Sequence, residues 1–203
     1  MKNLYIFGDS FSYPYKIDLK QSWPSLLAEK LGYELKLFSN PGASNFQIYL
    51  SVMDELNNID KNDIVIISTT WFERYYLPLF KYGVTINDVE RKVENNLELD
   101  NMEQFFLNNF NYQKSVTFNQ TLFNNLFNLL DRLQINYFYW NLAYFDIKNK
   151  NKIIYPEHSN INKISFFYNW IDVDNNMWLD DSDRHFGEIG SKTFCEFLYK
   201  KIL

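Results

Sequence analysis

Leu4-Tyr5-Ile6-Phe7-Gly8-Asp9-Ser10-Phe11-Ser12 stands almost at the start of the chain. Four apolar residues run straight into Gly-Asp-Ser. An apolar run that stops at a glycine predicts a buried strand ending in a tight turn. Gly8 lets the backbone bend where a side chain would clash. Ser10 then stands at the carboxyl end of a strand, the edge at which open α/β sheets bind their ligands. That position suits a nucleophile. An ordinary strand-to-loop turn with a capping serine accounts for the same residues, and a short motif does not separate the two.

The segments that follow repeat the strand-then-helix alternation. Ser22 to Gly32 has Trp23, Leu26, Leu27 and Leu31 at helical spacing, with Pro24 in the first turn and Gly32 at the end. Tyr33 to Phe38 predicts a second strand, which runs into Ser39-Asn40-Pro41-Gly42-Ala43-Ser44-Asn45. A helix follows, with Phe46, Tyr49, Leu50, Val52, Met53 and Leu56 expected on its inner side. Asp63 to Ser68, with Ile64-Val65-Ile66-Ile67 in succession, reads as a strand covered on both faces. This alternation is that of a doubly wound parallel sheet. Tyr75 to Lys114 is Asn-rich and irregular; helices are expected over 89–97 and 102–110, in an insertion after the third strand. Val116 to Leu133 predicts a long amphipathic helix and Tyr137 to Trp140 a fourth strand. Asn141 to Asp181 reads mostly as loop, with a short segment at 166–171. The last helix is expected from Glu188 to Ile202, with Phe194, Phe197, Leu198 and Ile202 facing inward.

Composition narrows the function classes. The 203 residues suffice for one domain with a sizeable core, and 46% hydrophobic with 22% charged content describes a globular chain. A net charge of −5, without a run of Lys or Arg, argues against nucleic acid as a partner. One cysteine, Cys195, gives neither a disulfide framework nor a cysteine-based zinc site. No apolar stretch approaches a membrane span, and the first apolar run is too short for a signal peptide. A cytoplasmic protein with no membrane partner is therefore expected.

Histidine is scarce. His158 lies in a polar loop after Pro156-Glu157 and reads as a surface residue. His185 lies in Leu179-Asp180-Asp181-Ser182-Asp183-Arg184-His185-Phe186-Gly187, just before the last helix. Residues two apart in an extended segment point the same way, so Asp183 can hold the His185 ring. The other ring nitrogen is then free to take a proton from a serine hydroxyl. An acidic surface loop with an incidental histidine is the competing account. Ser10, Gly42, Thr70 and the Asp183/His185 pair each follow a strand or a segment close to one. In a parallel sheet those ends share one rim, where a nucleophile, a base, an orienting acid and an oxyanion site could meet.

These blocks, in this order, resemble the SGNH/GDSL hydrolase family. Gly8-Asp9-Ser10 is similar to the family's first block, Gly42 to its oxyanion glycine, and Asp183 with His185 to its carboxyl-terminal pair. The resemblance spans nearly the whole chain. It implies a three-layer α/β/α fold with a flavodoxin-like parallel sheet and a Ser10–His185–Asp183 triad. It also implies an oxyanion site from the Ser10 and Gly42 N–H groups and the Thr70 hydroxyl, and it requires no metal or cofactor. Two departures stand out. Thr70 occupies the place of the family's oxyanion Asn; with Arg74 four residues on, it resembles a Thr-x-x-x-Arg variant. The pair here is Asp-x-His rather than Asp-x-x-His, which leaves Asp181 and Asp180 as alternative orienting acids. Arg74 either binds a carboxylate on an acidic sugar or pairs with Glu73 or another nearby acid. The activity implied is hydrolysis of an acyl ester, in particular an acetyl ester on a small molecule or glycan. Transfer of the acyl group to a sugar hydroxyl and an inactive binding module are the alternatives.

Overall fold

The computed structural model describes residues 2–70, 74–75, 84–141, 162–163 and 185–203. The first strand, β1 (Asn3–Gly8), is covered on both faces, every residue past Asn3 being buried. It is followed by α1 (Trp23–Leu31), β2 (Glu34–Ser39), α2 (Asn45–Glu55) and β3 (Ile64–Thr69). A two-residue hairpin, β4 (Arg74–Tyr75) with β5 (Val84–Thr85), precedes α3 (Ile86–Glu94) and α4 (Asn101–Asn109). Then come α5 (Tyr112–Arg132), β6 (Asn136–Asn141), β7 (Asn162–Lys163) and α6 (Glu188–Ile202).

The main sheet has the order β2-β1-β3-β6-β7, and each of its pairings is parallel. The order reverses beside β1, so a crevice opens outside the carboxyl ends of β1 and β3. Alternation along the strands sorts the core into two layers. Leu4, Ile6, Ile64, Ile66, Phe138 and Trp140 pack under α1 and α6 with Trp23, Leu27, Phe194 and Leu198. Tyr5, Phe7, Val65, Ile67, Tyr137 and Tyr139 pack on the other face with Ile48 and Val52 of α2 and Phe123, Leu126, Phe127 and Leu130 of α5. The chain therefore has the expected three-layer α/β/α architecture. Among the described residues, no helix is long and apolar enough to cross a membrane.

Helix ends follow local chemistry. Gly32 adopts φ 69°, and the N–H groups of Gly32 and Tyr33 donate to the Glu29 and Ala28 carbonyls. This double closure ends α1 at the expected glycine. Asn96, at φ 53°, closes α3 by the same pattern, with Asn96 N–H on Val93 and Leu97 N–H on Lys92. The helix expected over 89–97 accordingly covers Ile86–Glu94, because asparagine tolerates the left-handed region and stops the helix there. The inner face of α2 meets expectation in part: Val52 is buried, and Tyr49, Met53 and Leu56 pack against the core. Asn45, Ile48 and Val52 are buried, whereas Leu50 is 37% exposed. Ile48 is buried rather than the expected Leu50, because packing on the sheet, not hydrophobicity alone, selects among the apolar residues of the helix. The segment expected at 166–171 and the loop acids Asp180, Asp181 and Asp183 lie outside the described residues, as do Glu73 and His158.

Candidate active site

Three loops leave the sheet at one rim, after β1, β2 and β3. The first turn is tight because of Gly8. A Cβ at Gly8 would lie 2.6 Å from Ser12 Oγ, 2.8 Å from Ser68 Cβ and 2.9 Å from Ser12 Cβ. Ser12 and Ser68 are fully buried and have no room to retreat. Beyond Gly8 the Asp9 carbonyl accepts the N–H groups of Ser12 and Tyr13, both at 3.1 Å, while Asp9 Oδ1 accepts Phe11 N–H at 3.0 Å. Asp9 thus holds the turn that carries half-buried Ser10.

The second loop is a local turn legible in its residues. Ala43 N–H donates to the Asn40 carbonyl at 3.1 Å across Pro41-Gly42, and Gly42 has φ 76°. Proline second and a left-handed glycine third are the residues a type II turn demands. Asn40 N–H also donates to the Gly8 carbonyl at 3.2 Å, joining this turn to the end of β1. Ser44 then caps α2: its hydroxyl accepts Gln47 N–H, and the Gln47 side chain accepts Ser44 N–H.

The third loop begins at Thr70, which is 0% exposed. Its backbone is gripped by buried Asn45. Thr70 N–H donates to Asn45 Oδ1 at 2.7 Å, and Asn45 Nδ2 donates to the Thr70 carbonyl at 2.9 Å. The Thr70 hydroxyl donates to Asp9 Oδ2 at 2.6 Å. This differs from the expected oxyanion contact. A threonine hydroxyl carries one hydrogen, and Asp9 takes it. Arg74 also differs from the reading that turned it toward a substrate carboxylate. Its side chain is 16% exposed, and Nη1 reaches Asp9 Oδ2 at 3.4 Å, the Ala43 carbonyl at 3.3 Å and Thr70 Oγ1 at 3.1 Å. Among the described residues, the acid that pairs with Arg74 is the aspartate of Gly-Asp-Ser.

Asp9 is 1% exposed, and burial pushes its carboxyl above the ordinary carboxylate range. The Arg74 guanidinium, the Thr70 hydroxyl and the Phe11 N–H act in the opposite direction.

His185 comes from the far end of the chain to the same rim. Its ring stacks on Phe11 with centroids 5.0 Å apart and meets Tyr15 at 4.4 Å. Phe11 is the residue after Ser10, so these contacts bring the histidine beside the first loop. Trp23 Nε1 fixes that loop from α1 by donating to the Phe11 carbonyl at 2.8 Å. Phe186 seats the chain after His185 by packing against Phe11 and Phe194. Asn45, Phe11, Tyr15 and Trp23 received no role from sequence reasoning. A signal existed for Asn45: a polar first residue in an otherwise apolar inner stripe. The contacts of Phe11 and Tyr15 with His185 join distant parts of the chain and left no local pattern.

No protein-family model matches the sequence, and no curated protein matches it. Solved structures do match the fold. A protein from Desulfitobacterium hafniense DCB-2, assigned to the lipolytic G-D-S-L family, is 14% identical with a TM-score of 0.62 over 100% of both chains. The psychrotrophic esterase EstA from Pseudoalteromonas sp. is 15% identical with a TM-score of 0.61, covering 100% of this chain and 97% of its own. The acetyl xylan esterase AlAXEase is 15% identical with a TM-score of 0.57, covering 99% of this chain and 100% of its own. At such identities the likeness is one of fold. The fold is that of the SGNH/GDSL hydrolases, as the motif order implied.

Proposed function

We propose that this protein is a serine-dependent carboxylic ester hydrolase, acting on an acyl ester of a small molecule or carbohydrate, with acetyl the preferred acyl group. The observation that carries the reading is the ring contact between His185 and Phe11, the residue following Ser10 in Gly-Asp-Ser. The fold shared with EstA and with an acetyl xylan esterase supports the chemistry and the substrate class.

In this reading Ser10 Oγ attacks the ester carbonyl carbon while His185 takes its proton. The Ser10 and Gly42 N–H groups hold the oxyanion of the tetrahedral intermediate. The ester C–O bond then breaks, and His185 returns the proton to the departing alcohol. Water next attacks the acyl-serine, again losing its proton to His185, and the carboxylic acid leaves with Ser10 restored. Asp183 is the proposed orienting acid, fixing the imidazole tautomer and stabilising the imidazolium. Preorganised donors aimed at developing charge are the largest single source of rate in such sites.

Ser10→Ala and His185→Ala are expected to abolish hydrolysis of p-nitrophenyl acetate and labelling by a serine-directed fluorophosphonate. The two losses should be similar, because members of such a unit do not act additively. A folded wild-type protein that neither hydrolyses the ester nor takes up the probe would overturn the reading. Hydrolysis and labelling that survive Ser10→Ala would do the same.

A further inference from the structure

We propose that Arg74 is a positioning residue for the oxyanion site: one guanidinium nitrogen bolts together the three loops that carry Ser10, Gly42 and Thr70. The functional part of this inference rests on the reading of Ser10 as nucleophile. The mechanical part rests on geometry alone. Arg74 Nη1 has one acceptor on each loop: Asp9 Oδ2, the Ala43 carbonyl and Thr70 Oγ1.

The placement is consequential because the two N–H groups proposed to hold the oxyanion belong to different loops. Ser10 follows β1 and Gly42 follows β2. Their separation is not set by any single turn. Part of it is set by the Asn40 N–H bond to the Gly8 carbonyl. The β1–β2 pairing, which ends with Gly8 opposite Ser39, sets where both loops leave the sheet; beyond it, Arg74 touches both Asp9, next to Ser10, and Ala43, next to Gly42. Thr70 completes the assembly by donating to Asp9 while its own backbone is held by Asn45. Arginine suits the position, being permanently charged, planar and weakly hydrated, and so fit to sit against a buried carboxylate. Its contacts also explain why Gly-Asp-Ser needs an aspartate here: Asp9 is the shared acceptor for Phe11, Thr70 and Arg74.

A bolt of this kind acts on the transition state more than on substrate binding, because the oxyanion donors must match the tetrahedral oxygen. A misplacement of about 1 Å can cost on the order of 10²-fold in rate. Arg74→Met should lower kcat by roughly 10- to 100-fold while KM stays within about threefold. The substitution also takes the guanidinium away from a buried carboxyl group while leaving that group in place, which is more damaging than replacing both partners. The Asp9→Asn/Arg74→Met double variant should therefore recover part of the loss in stability and kcat. That recovery has the sign opposite to additive damage.

The test has two arms. Amide hydrogen exchange on wild type and Arg74→Met reads the bolt without any activity; residues 9–13 and 40–45 should lose protection together, by about tenfold or more. Unchanged protection in either segment overturns the proposal. Steady-state hydrolysis of p-nitrophenyl acetate, normalised to folded protein by circular dichroism, reads the consequence. A rise in KM at constant kcat would make Arg74 a substrate contact and overturn the positioning role, as would unchanged kinetics. Should Arg74→Met not fold, the same two measurements on Arg74→Lys and on the double variant decide the matter. Exchange results that hold in a protein inactive on esters would sink the hydrolase reading and leave the bolt standing.

Discussion

Asn45→Ala should destabilise the protein by several kcal/mol although it deletes only a short polar side chain. Asn45 makes two hydrogen bonds to one residue, accepting Thr70 N–H at 2.7 Å and donating to the Thr70 carbonyl at 2.9 Å. Asn45 is 1% exposed and Thr70 0%, so neither freed backbone group finds water without local opening. An unsatisfied buried donor or acceptor costs about 1–3 kcal/mol, which puts the pair at about 2–6 kcal/mol. Local opening to admit water would bring the value toward the lower end. Even the lower end is a large share of a typical stability of about 5–15 kcal/mol. Asn45→Asp is the informative control. It keeps the acceptor for Thr70 N–H but sets a carboxylate against the Thr70 carbonyl, so at neutral pH it should also be damaging. As pH falls and that carboxyl gains a proton, it regains a donor, and the deficit should shrink. Urea denaturation of the three proteins between pH 4 and 7, followed by far-UV circular dichroism, measures both effects. A loss below about 1 kcal/mol for Asn45→Ala, or an Asn45→Asp deficit that grows as pH falls, would refute the reasoning.

Asp9 makes the stability of the wild type depend on pH. Its folded-state value is raised by burial, so its contribution is fully present below the unfolded carboxyl value and is lost as pH rises through the folded value. The wild-type advantage over Asp9→Asn should therefore narrow as pH rises from about 4, where an unfolded Asp titrates. Parallel urea midpoints across that range check this, and an advantage that widens would mean that Arg74, Thr70 and Phe11 outweigh burial. Gly42→Ala forces a side chain into φ 76° and should cost about 1–2 kcal/mol. Because Gly42 is also a proposed oxyanion donor, hydrolysis should fall by more than the stability loss explains, and thermal melts beside kinetics separate the two.

Much of this architecture was legible in residue order. Ile64-Val65-Ile66-Ile67 read as a strand covered on both faces and is one, and Leu4 to Phe7 ended at a glycine that packing later required. The Asn40-Pro41-Gly42-Ala43 turn and the Gly32 helix stop lay within a few residues of their causes. Turn chemistry and hydrophobic period are local, so sequence carries them. The inner face of α2 was legible only in part, because Ile48 and Leu50 are equally apolar until a sheet selects one of them. The site divides along the same line. That Gly8-Asp9-Ser10 ends a strand, and that Gly42 follows the second strand at the same rim, was legible in the sequence. That Thr70 gives its only hydroxyl proton to Asp9, and that Arg74 turns inward to join three loops, was decided by tertiary structure. So was the meeting of His185 with Phe11 and Tyr15. A hydroxyl or a guanidinium goes to whichever acceptor the fold brings within about 3 Å, and burial makes an unsatisfied acceptor costly enough to fix that choice.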